Sequence, residues 1–315
     1  MVYKRTYKSG ELTVRTVVSA KTGYGWLAYR AFIAFPKHIP LSVYVLPPRD
    51  ALLIYGDDEL RADADAGRAT ACLFAIDGTE IPESWLRAQQ HFDYYIIMLD
   101  HNDFARKCGK IIGEFYPKPR TLVWLERNGI GAIERNPKEL LLGTVAHGHA
   151  RKNIELIITI AHEFYKRADD VKFSIVTDAR TAYIWRHYAP ANTEFLVDLR
   201  DDEMVSWYSS LWAFFSLSSG EGGALPALEA SILGVPTILP KHTAFAIIGA
   251  SVFLTDLREV EASGDANIAG SLFIPNPREF IDIVRAHMNT QLPPPPPARI
   301  QFEQTHYIKS TIKST

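Results

Sequence analysis

The chain has 315 residues, 47% of them hydrophobic and 22% charged, a balance that supports a buried core and excludes a disordered or fibrous chain. At ~100–200 residues per domain, its length fits one large domain or two ordinary ones. The formal net charge is −2, and the basic residues are scattered apart from pairs such as Lys4-Arg5 and Arg151-Lys152. That pattern excludes nucleic acid as the main partner, which would need a basic stripe.

In chain order, LTVRTVVSA (12–20) predicts a strand, GWLAYRAFIAF (25–35) a helix, LSVYVLPP (41–48) a strand, and RADADAGRA (61–69) a polar, solvated stretch. ATACLFAID (69–77), PESWLRAQQ (82–90) and DYYIIMLD (93–100) continue as strand, helix, strand. The Gly, Asn and Pro of RNGIGAIERNPKEL (127–140) mark a linker. A second set follows: ELLLGTVA (139–146) as strand, NIELIITIAHEFYKRA (153–168) as amphipathic helix, VKFSIVTD (171–178) and TEFLVDL (193–199) as strands, DDEMVSWYSSL (201–211) as a capped helix, and WAFFSLS (212–218) as a buried strand. Strands alternating with helices build parallel sheets covered by helices. Two such sets predict an α/β protein of two Rossmann-like domains with a cleft between them, 1–135 and 136–290. QLPPPPPARI (291–300) must be extended, and residues 301–314 read as a last helix that carries the tail 291–315 back to the first domain.

The two cysteines, Cys72 and Cys108, lie far apart without metal-ligand spacing and read as thiols of a reducing compartment. No run of ~18 apolar residues exists, and the N-terminus lacks the apolar stretch of a signal peptide. A cytoplasmic location is therefore expected. Peripheral membrane contact is compatible with it, since that needs only a basic or amphipathic surface.

Chemistry concentrates in SSGEGGALPALEASILGVP (218–236), where Glu221 and Glu229 stand eight positions apart around a glycine pair. Pro226 suits the start of a helix and Gly234 its end. The backbone N–H groups of Gly222, Gly223 and Ala224, with the helix dipole, then make an anion site beyond a strand end. Carboxylates beside such a site suit the acceptance of hydrogen bonds from sugar hydroxyls. The plainer reading is a capping acid and a solvated helix acid at an ordinary strand-helix turn.

Glu221-x7-Glu229 within this segment resembles the signature of retaining, nucleotide-sugar-dependent glycosyltransferases of the GT-B fold, the family-4 type. GTVAHGHARKNIELIITIAHEF (143–164) is similar to that family's segment with a phosphate-binding Lys, KTGYGWLAYRAF (21–32) to its Gly-rich first loop, and IDGTEIPESW (76–85) to an acidic, Ile-Pro, Trp segment of some members. The resemblance implies a donor sugar nucleotide in the second domain, with Glu229 on the ribose, Glu221 on the transferred sugar, and Lys152 with Arg151 neutralising the diphosphate. Gly222, Gly223, Ala224 and Leu225 join the donor site, and Gly25 approaches the same phosphate from the first domain. It further implies attack on the face that the diphosphate leaves, without a protein nucleophile, a metal or another cofactor. The acceptor, whether sugar, lipid or protein, is not specified.

One departure from the family stands out. Ile76-Asp77 occupies the place where many members carry a histidine, so Asp77 either acts on the acceptor side or marks an impaired site. A binding module that keeps the donor pocket without turnover, and a nucleotide-sugar epimerase on the same fold, are the competing functions. His101, His147 and His149 read as loop histidines with a lesser claim to a site role. Asp63-Ala64-Asp65 has the form through which another transferase fold holds a metal, but its polar surroundings favour a solvated acidic loop.

Overall fold

The computed structural model describes residues 3–18, 23–98, 111–131, 133–135, 137, 139–262, 268–297 and 300–303. His101, Cys108 and all but the first residues of the expected C-terminal helix lie outside the described residues. The chain divides into two compact units. One comprises the described residues of Met1–Lys118, Glu261–Ser271 and Ile300–Thr315, and the other Pro119–Val260 and Leu272–Arg299. The first division thus falls at Lys118/Pro119, ahead of the 127–140 segment.

The first unit holds strands β1 (Tyr3–Ser9), β2 (Leu12–Val18), β3 (Leu41–Tyr44), β4 (Ala69–Phe74), β5 (Tyr94–Ile97) and β6 (Ile111–Glu114), with helices α1 (Gly23–Ala34), α2 (Pro48–Asp65) and α3 (Glu83–Ala88). The strands lie in chain order across one sheet. β1 and β2 form an antiparallel hairpin, and every later pair is parallel. Tyr44, Cys72, Phe74, Tyr95 and Ile97 of the sheet pack with Ala51, Tyr55 and Leu60 of α2 and Trp85 of α3 in a buried core.

Two elements here are invisible to apolar periodicity. β1 reads YKRTYKS, and α2 carries the stretch expected to be a solvated loop. α2 breaks at Gly56, whose φ of 73° is open to glycine without a side-chain penalty. The solvated reading of Asp63 is overturned: its side chain is 1% exposed and lies between Arg15, Arg68 and Tyr44.

The second unit begins with helix α4 (Arg120–Arg127), followed by β7 (Leu140–Val145), α5 (Ile154–Lys166), β8 (Val171–Thr177), α6 (Ala179–Trp185), β9 (Thr193–Val197), α7 (Asp201–Ser210), β10 (Ala213–Phe215), α8 (Leu225–Ile232), β11 (Thr237–Pro240), α9 (Thr243–Ile248), β12 (Val252–Leu254) and α10 (Pro277–His287). A short pair, β13 (Leu257–Glu261) and β14 (Ser271–Pro275), precedes α10. The main sheet has the order β12-β11-β10-β7-β8-β9 and is parallel throughout. Counted from its own first strand, that order is 6-5-4-1-2-3, the doubly wound arrangement with its reversal between β7 and β10.

Burial on both faces explains the apolar strands of this sheet. α5 turns Ile154, Ile157, Ile158, Ala161 and Phe164 inward at helical spacing, where they meet Leu142, Phe173, Phe215 and Phe280. Gly143 of β7 has a packing reason of its own. A Cβ there would lie 2.4 Å from the Leu211 side chain and 2.8 Å from Trp207.

Candidate active site

Ligands bind open α/β sheets in the crevice beyond the carboxyl ends of the strands, where the strand order reverses. In the second unit that point lies between β7 and β10, and the loops leaving these two strands carry Arg151, Lys152 and Glu221. A 3-10 turn, Ala150–Lys152, presents the two basic residues before Asn153 starts α5 from a left-handed conformation, φ 51°. Arg151 Nη1 donates to Glu221 Oε1 at 3.0 Å and to the Gly220 carbonyl at 2.8 Å. Lys152 Nζ donates to the same Oε1.

Glu221 is 7% exposed. Burial alone would raise its carboxyl, but the Lys152 and Arg151 charges beside it outweigh burial and hold it down at about 2. The trio carries one net positive charge, which suits the binding of an anion next to a fixed carboxylate.

The Glu221 loop is gripped from three directions. From the β7 side, the Arg151 carbonyl accepts from the Ser219 N–H at 2.8 Å, and Asn153 Nδ2 donates to the Leu217 carbonyl at 2.7 Å. From the α9 side, the Glu221 N–H donates to Thr243 Oγ1 at 3.1 Å, and the Ala244 N–H donates to the Glu221 carbonyl at 3.1 Å. From β14, the Phe273 N–H donates to the Ser219 carbonyl at 2.8 Å. His242 lies beneath, 5% exposed and stacked on Phe273 at 5.5 Å, with Nε2 at 3.0 Å from the Ser218 carbonyl. Sequence reasoning missed His242 and Thr243. The dipeptide follows a strand end, but nothing in its own pattern sets it apart from an ordinary helix start.

Helix α8 starts at Leu225 with Pro226 in its first turn, and Ala224 ahead of it is left-handed at φ 47°. The Ala224 carbonyl accepts from the Ala227 and Leu228 N–H groups, both at 3.1 Å. Gly234, at φ 72°, ends the helix where the sequence places its stop. Glu229 projects from the second turn of α8 into a different setting from Glu221. Its Oε2 accepts from the Tyr208 hydroxyl at 3.1 Å and its Oε1 from the Thr121 N–H at 3.4 Å. Burial raises its carboxyl, and the Thr121 and Tyr208 hydrogen bonds offset only part of that. A carboxylate so placed still has lone pairs for a further donor.

The structure therefore brings Arg151, Lys152 and Glu221 into direct contact, with Gly222, Gly223, Ala224 and Leu225 in the chain that leads from Glu221 to α8. Glu229 keeps its own partners. Of the loop histidines, His147 Nδ1 lies 3.9 Å from Asp178 Oδ2, a carboxylate that caps α6, and His149 is exposed. Gly25 and Asp77 belong to the first unit. Gly25 sits in the first turn of α1, not in a loop. Asp77 follows β4, half-buried, and its loop is braced by Ser271, whose N–H donates to Thr79 Oγ1 at 2.7 Å. Gly78 permits this close approach, since a Cβ there would lie 2.3 Å from the Ala269 carbonyl oxygen.

The Asp63 carboxylate is consumed by Arg15, Arg68 and Tyr44, and no cluster of three His, Cys, Asp or Glu side chains among the described residues is arranged to hold a metal.

No curated protein matches the chain. Residues 128–248 match the family described as Glycosyl transferases group 1. Among solved structures, TarM is similar with a TM-score of 0.53 at 12% identity over 79% of this chain and 48% of that one. A mutant of S. aureus TarM in complex with Fondaparinux, alpha-GlcNAc-glycerol and UDP is similar with a TM-score of 0.53 at 13% identity over the same shares. The sucrose-phosphate synthase of Thermosynechococcus elongatus gives 0.48 at 13% identity, over 84% of this chain and 68% of that one. The chain spans about half the length of the TarM chains it matches. The stretch 128–248 that matches the Glycosyl transferases group 1 family contains the strand-order reversal, the Arg151-Lys152 turn and both glutamates, and the two α/β units of the chain have the GT-B class of fold.

Proposed function

We propose that the protein transfers a sugar from a nucleotide-diphosphate sugar to an acceptor, with retention of anomeric configuration and without a metal. The observation that carries this reading is the convergence of Arg151 and Lys152 on a buried Glu221 at the reversal of the second sheet. Negative charge builds on the diphosphate as the glycosidic bond breaks. Two cations held in place beforehand stabilise that charge more in the transition state than in the ground state. Glu221, kept ionised by the same cations, is a strong acceptor for a hydroxyl of the transferred sugar. Glu229, one helical turn into α8, accepts from the ribose. The complex of the TarM mutant with UDP supports a nucleotide donor. Asp77 is assigned to the acceptor side, and Gly25 to close approach of backbone to the phosphate.

The test is calorimetric titration with a panel of nucleoside diphosphates, followed by transfer assays with and without EDTA. One diphosphate should bind, the product should keep the donor's anomeric configuration, and chelator should leave the rate unchanged. Activity lost in EDTA and restored by magnesium or manganese would overturn the metal-free mechanism. Failure of every diphosphate to bind would overturn the donor site. Tight donor binding without transfer or hydrolysis would favour a binding module, the reading that buried Ile76 beside Asp77 raises. Epimerised donor in the absence of acceptor would point to the epimerase instead.

A further inference from the structure

We propose that His242, acting through the hydroxyl of Thr243, is the residue that positions Glu221 against the transferred sugar; this rests on the reading of Glu221 as the sugar-binding carboxylate. Thr243 has a φ of 41°. A β-branched residue in the left-handed region is a backbone outlier, and such conformations persist where the surroundings over-determine them. Here the surroundings are a short chain of hydrogen bonds. The Glu221 N–H donates to Thr243 Oγ1 at 3.1 Å. Thr243 Oγ1 lies 3.0 Å from His242 Nδ1, and His242 Nε2 lies 3.0 Å from the Ser218 carbonyl oxygen.

The directions of these bonds follow from their chemistry. A carbonyl oxygen only accepts, so Nε2 carries the proton. In the neutral ring Nδ1 then has a lone pair and accepts from the Thr243 hydroxyl, whose oxygen in turn accepts from Glu221. The ring thus ties Ser218 to Glu221 across the loop, and the second bond between the segments, from the Ala244 N–H to the Glu221 carbonyl, fixes the peptide on its other side. Phe273, stacked on the imidazole at 26° between planes, and Phe245, edge-on at 5.6 Å, hold the ring in its plane. Arg151 and Lys152 set the charge of the Glu221 carboxylate. His242 and Thr243 set where its backbone stands.

The experiment pairs two kinds of readout. In the protein alone, nitrogen-15 NMR of the His242 ring should show a protonated Nε2 and a lone-pair Nδ1, and amide exchange at Glu221 should quicken about tenfold or more in His242→Phe and Thr243→Val. Thr243→Val keeps the branched side chain and loses only the hydroxyl, so it serves if His242→Phe fails to fold. In turnover, both variants should lower kcat on the order of ten- to a hundredfold, as small misplacements of a substrate-positioning group do. Their affinity for the nucleoside diphosphate should stay within about twofold of the parent protein's, because both variants loosen the Glu221 N–H and keep the Ala244 bond to the Glu221 carbonyl, on the side that leads to the Gly222 N–H of the anion site. Thr243→Ser should restore both exchange protection and kcat. A ring protonated at Nδ1 instead, unchanged exchange at Glu221, or equal losses of kcat and diphosphate affinity would each overturn the proposal. If the parent protein neither binds a diphosphate nor transfers a sugar, the functional reading fails, while the tautomer and exchange measurements still decide whether the relay exists.

Discussion

In each unit of the molecule a carboxylate lies buried between two cations, and the two clusters stand at different places in their sheets. Asp63 accepts on both oxygens: Oδ1 from Arg15 at 2.9 Å and Arg68 at 2.8 Å, Oδ2 from Arg15 at 3.2 Å and Tyr44 at 2.7 Å. These hydrogen bonds overcome burial and hold its carboxyl down at about 2. The ion pairs of Glu221, by contrast, both fall on Oε1. Asp63 sits on the last turn of α2, beneath a sheet whose strands run in chain order, so no reversal opens a crevice beside it. Glu221 sits beyond a strand end at the reversal of the other sheet. Similar local chemistry and similar depression of a carboxyl group therefore carry opposite meanings. Sheet topology is the ground on which the Asp63 cluster is read as structural and the Glu221 cluster is assigned to the proposed donor site.

The largest effect that could break this comparison is on stability. Asp63→Ala leaves the buried Arg15 with Glu59 as its remaining carboxylate partner at 2.8 Å, and breaking a buried pair by removing one partner typically costs about 3–5 kcal/mol. Chemical denaturation should show that loss in the first unit's transition. A loss below about 1 kcal/mol, the range of exposed pairs, would mean that Arg15 is rehydrated and that the Asp63 cluster is no structural anchor. The same cluster fixes an acid limit. A carboxyl depressed in the folded state contributes stability that is present above its unfolded value of about 3.9. That contribution is lost as pH falls through the folded value of about 2. The parent protein should therefore lose stability more steeply between those limits than Asp63→Ala does, and parallel pH curves for the two proteins would contradict it.

Next in size is the cluster at the proposed donor site. Lys152→Ala leaves Glu221 paired with Arg151, so the fold should survive. It removes a cation from the proposed diphosphate site, where a charge-assisted hydrogen bond is worth roughly 1.5–3 kcal/mol, or about ten- to a hundredfold in affinity. Calorimetric titration with the preferred diphosphate measures it. Unchanged affinity with a normal melting curve would remove Lys152 from the site and make the two clusters alike after all.

What was legible in the sequence was local. Periodicity at 153–168 gives α5, the apolar run at 171–178 gives β8, and Pro226 with Gly234 frames α8 to within a residue. The glutamates and the Arg151-Lys152 pair were legible because they lie in one recognisable pattern of glycines and strand ends. What escaped depends on pairing across distance. β1 is polar on the page, and it is a strand because its register sets Tyr7 against Val14. Asp63 looks solvated in RADADAGRA because Arg15, 48 positions earlier, appears only in three dimensions. His242 looks ordinary until Ser218, 24 positions before it, is brought to its Nε2, and Thr243, whose hydroxyl accepts from the Glu221 N–H, stands at its Nδ1.

The smallest effect concerns the second glutamate and sharpens the comparison, because burial outweighs the Thr121 and Tyr208 hydrogen bonds and the Arg120 charge at Glu229. Burial raises its carboxyl, so between the unfolded and folded values the native state holds a proton that the unfolded state has released. Stability from this group is therefore present at low pH and declines as pH rises through the raised value, opposite in sign to Asp63. Glu229→Gln abolishes that decline. It keeps an oxygen to accept from Tyr208 or Thr121, and it cannot ionise. The variant should match the parent protein near pH 4 and be slightly the more stable at pH 8, by about 1 kcal/mol or less, the scale of one neutral hydrogen bond. Its affinity for the nucleoside diphosphate should fall at pH 8, where the ribose loses an ionised acceptor, and fall less at lower pH, where the parent carboxyl is itself protonated. Melting curves and titrations at the two pH values test both clauses. A variant less stable than the parent at pH 8 but not at pH 4 would mean that Glu229 works as a charged anchor for α4 and Tyr208, a structural acid like Asp63. An affinity loss independent of pH would mean that the ribose reads the shape of this side chain and not its charge.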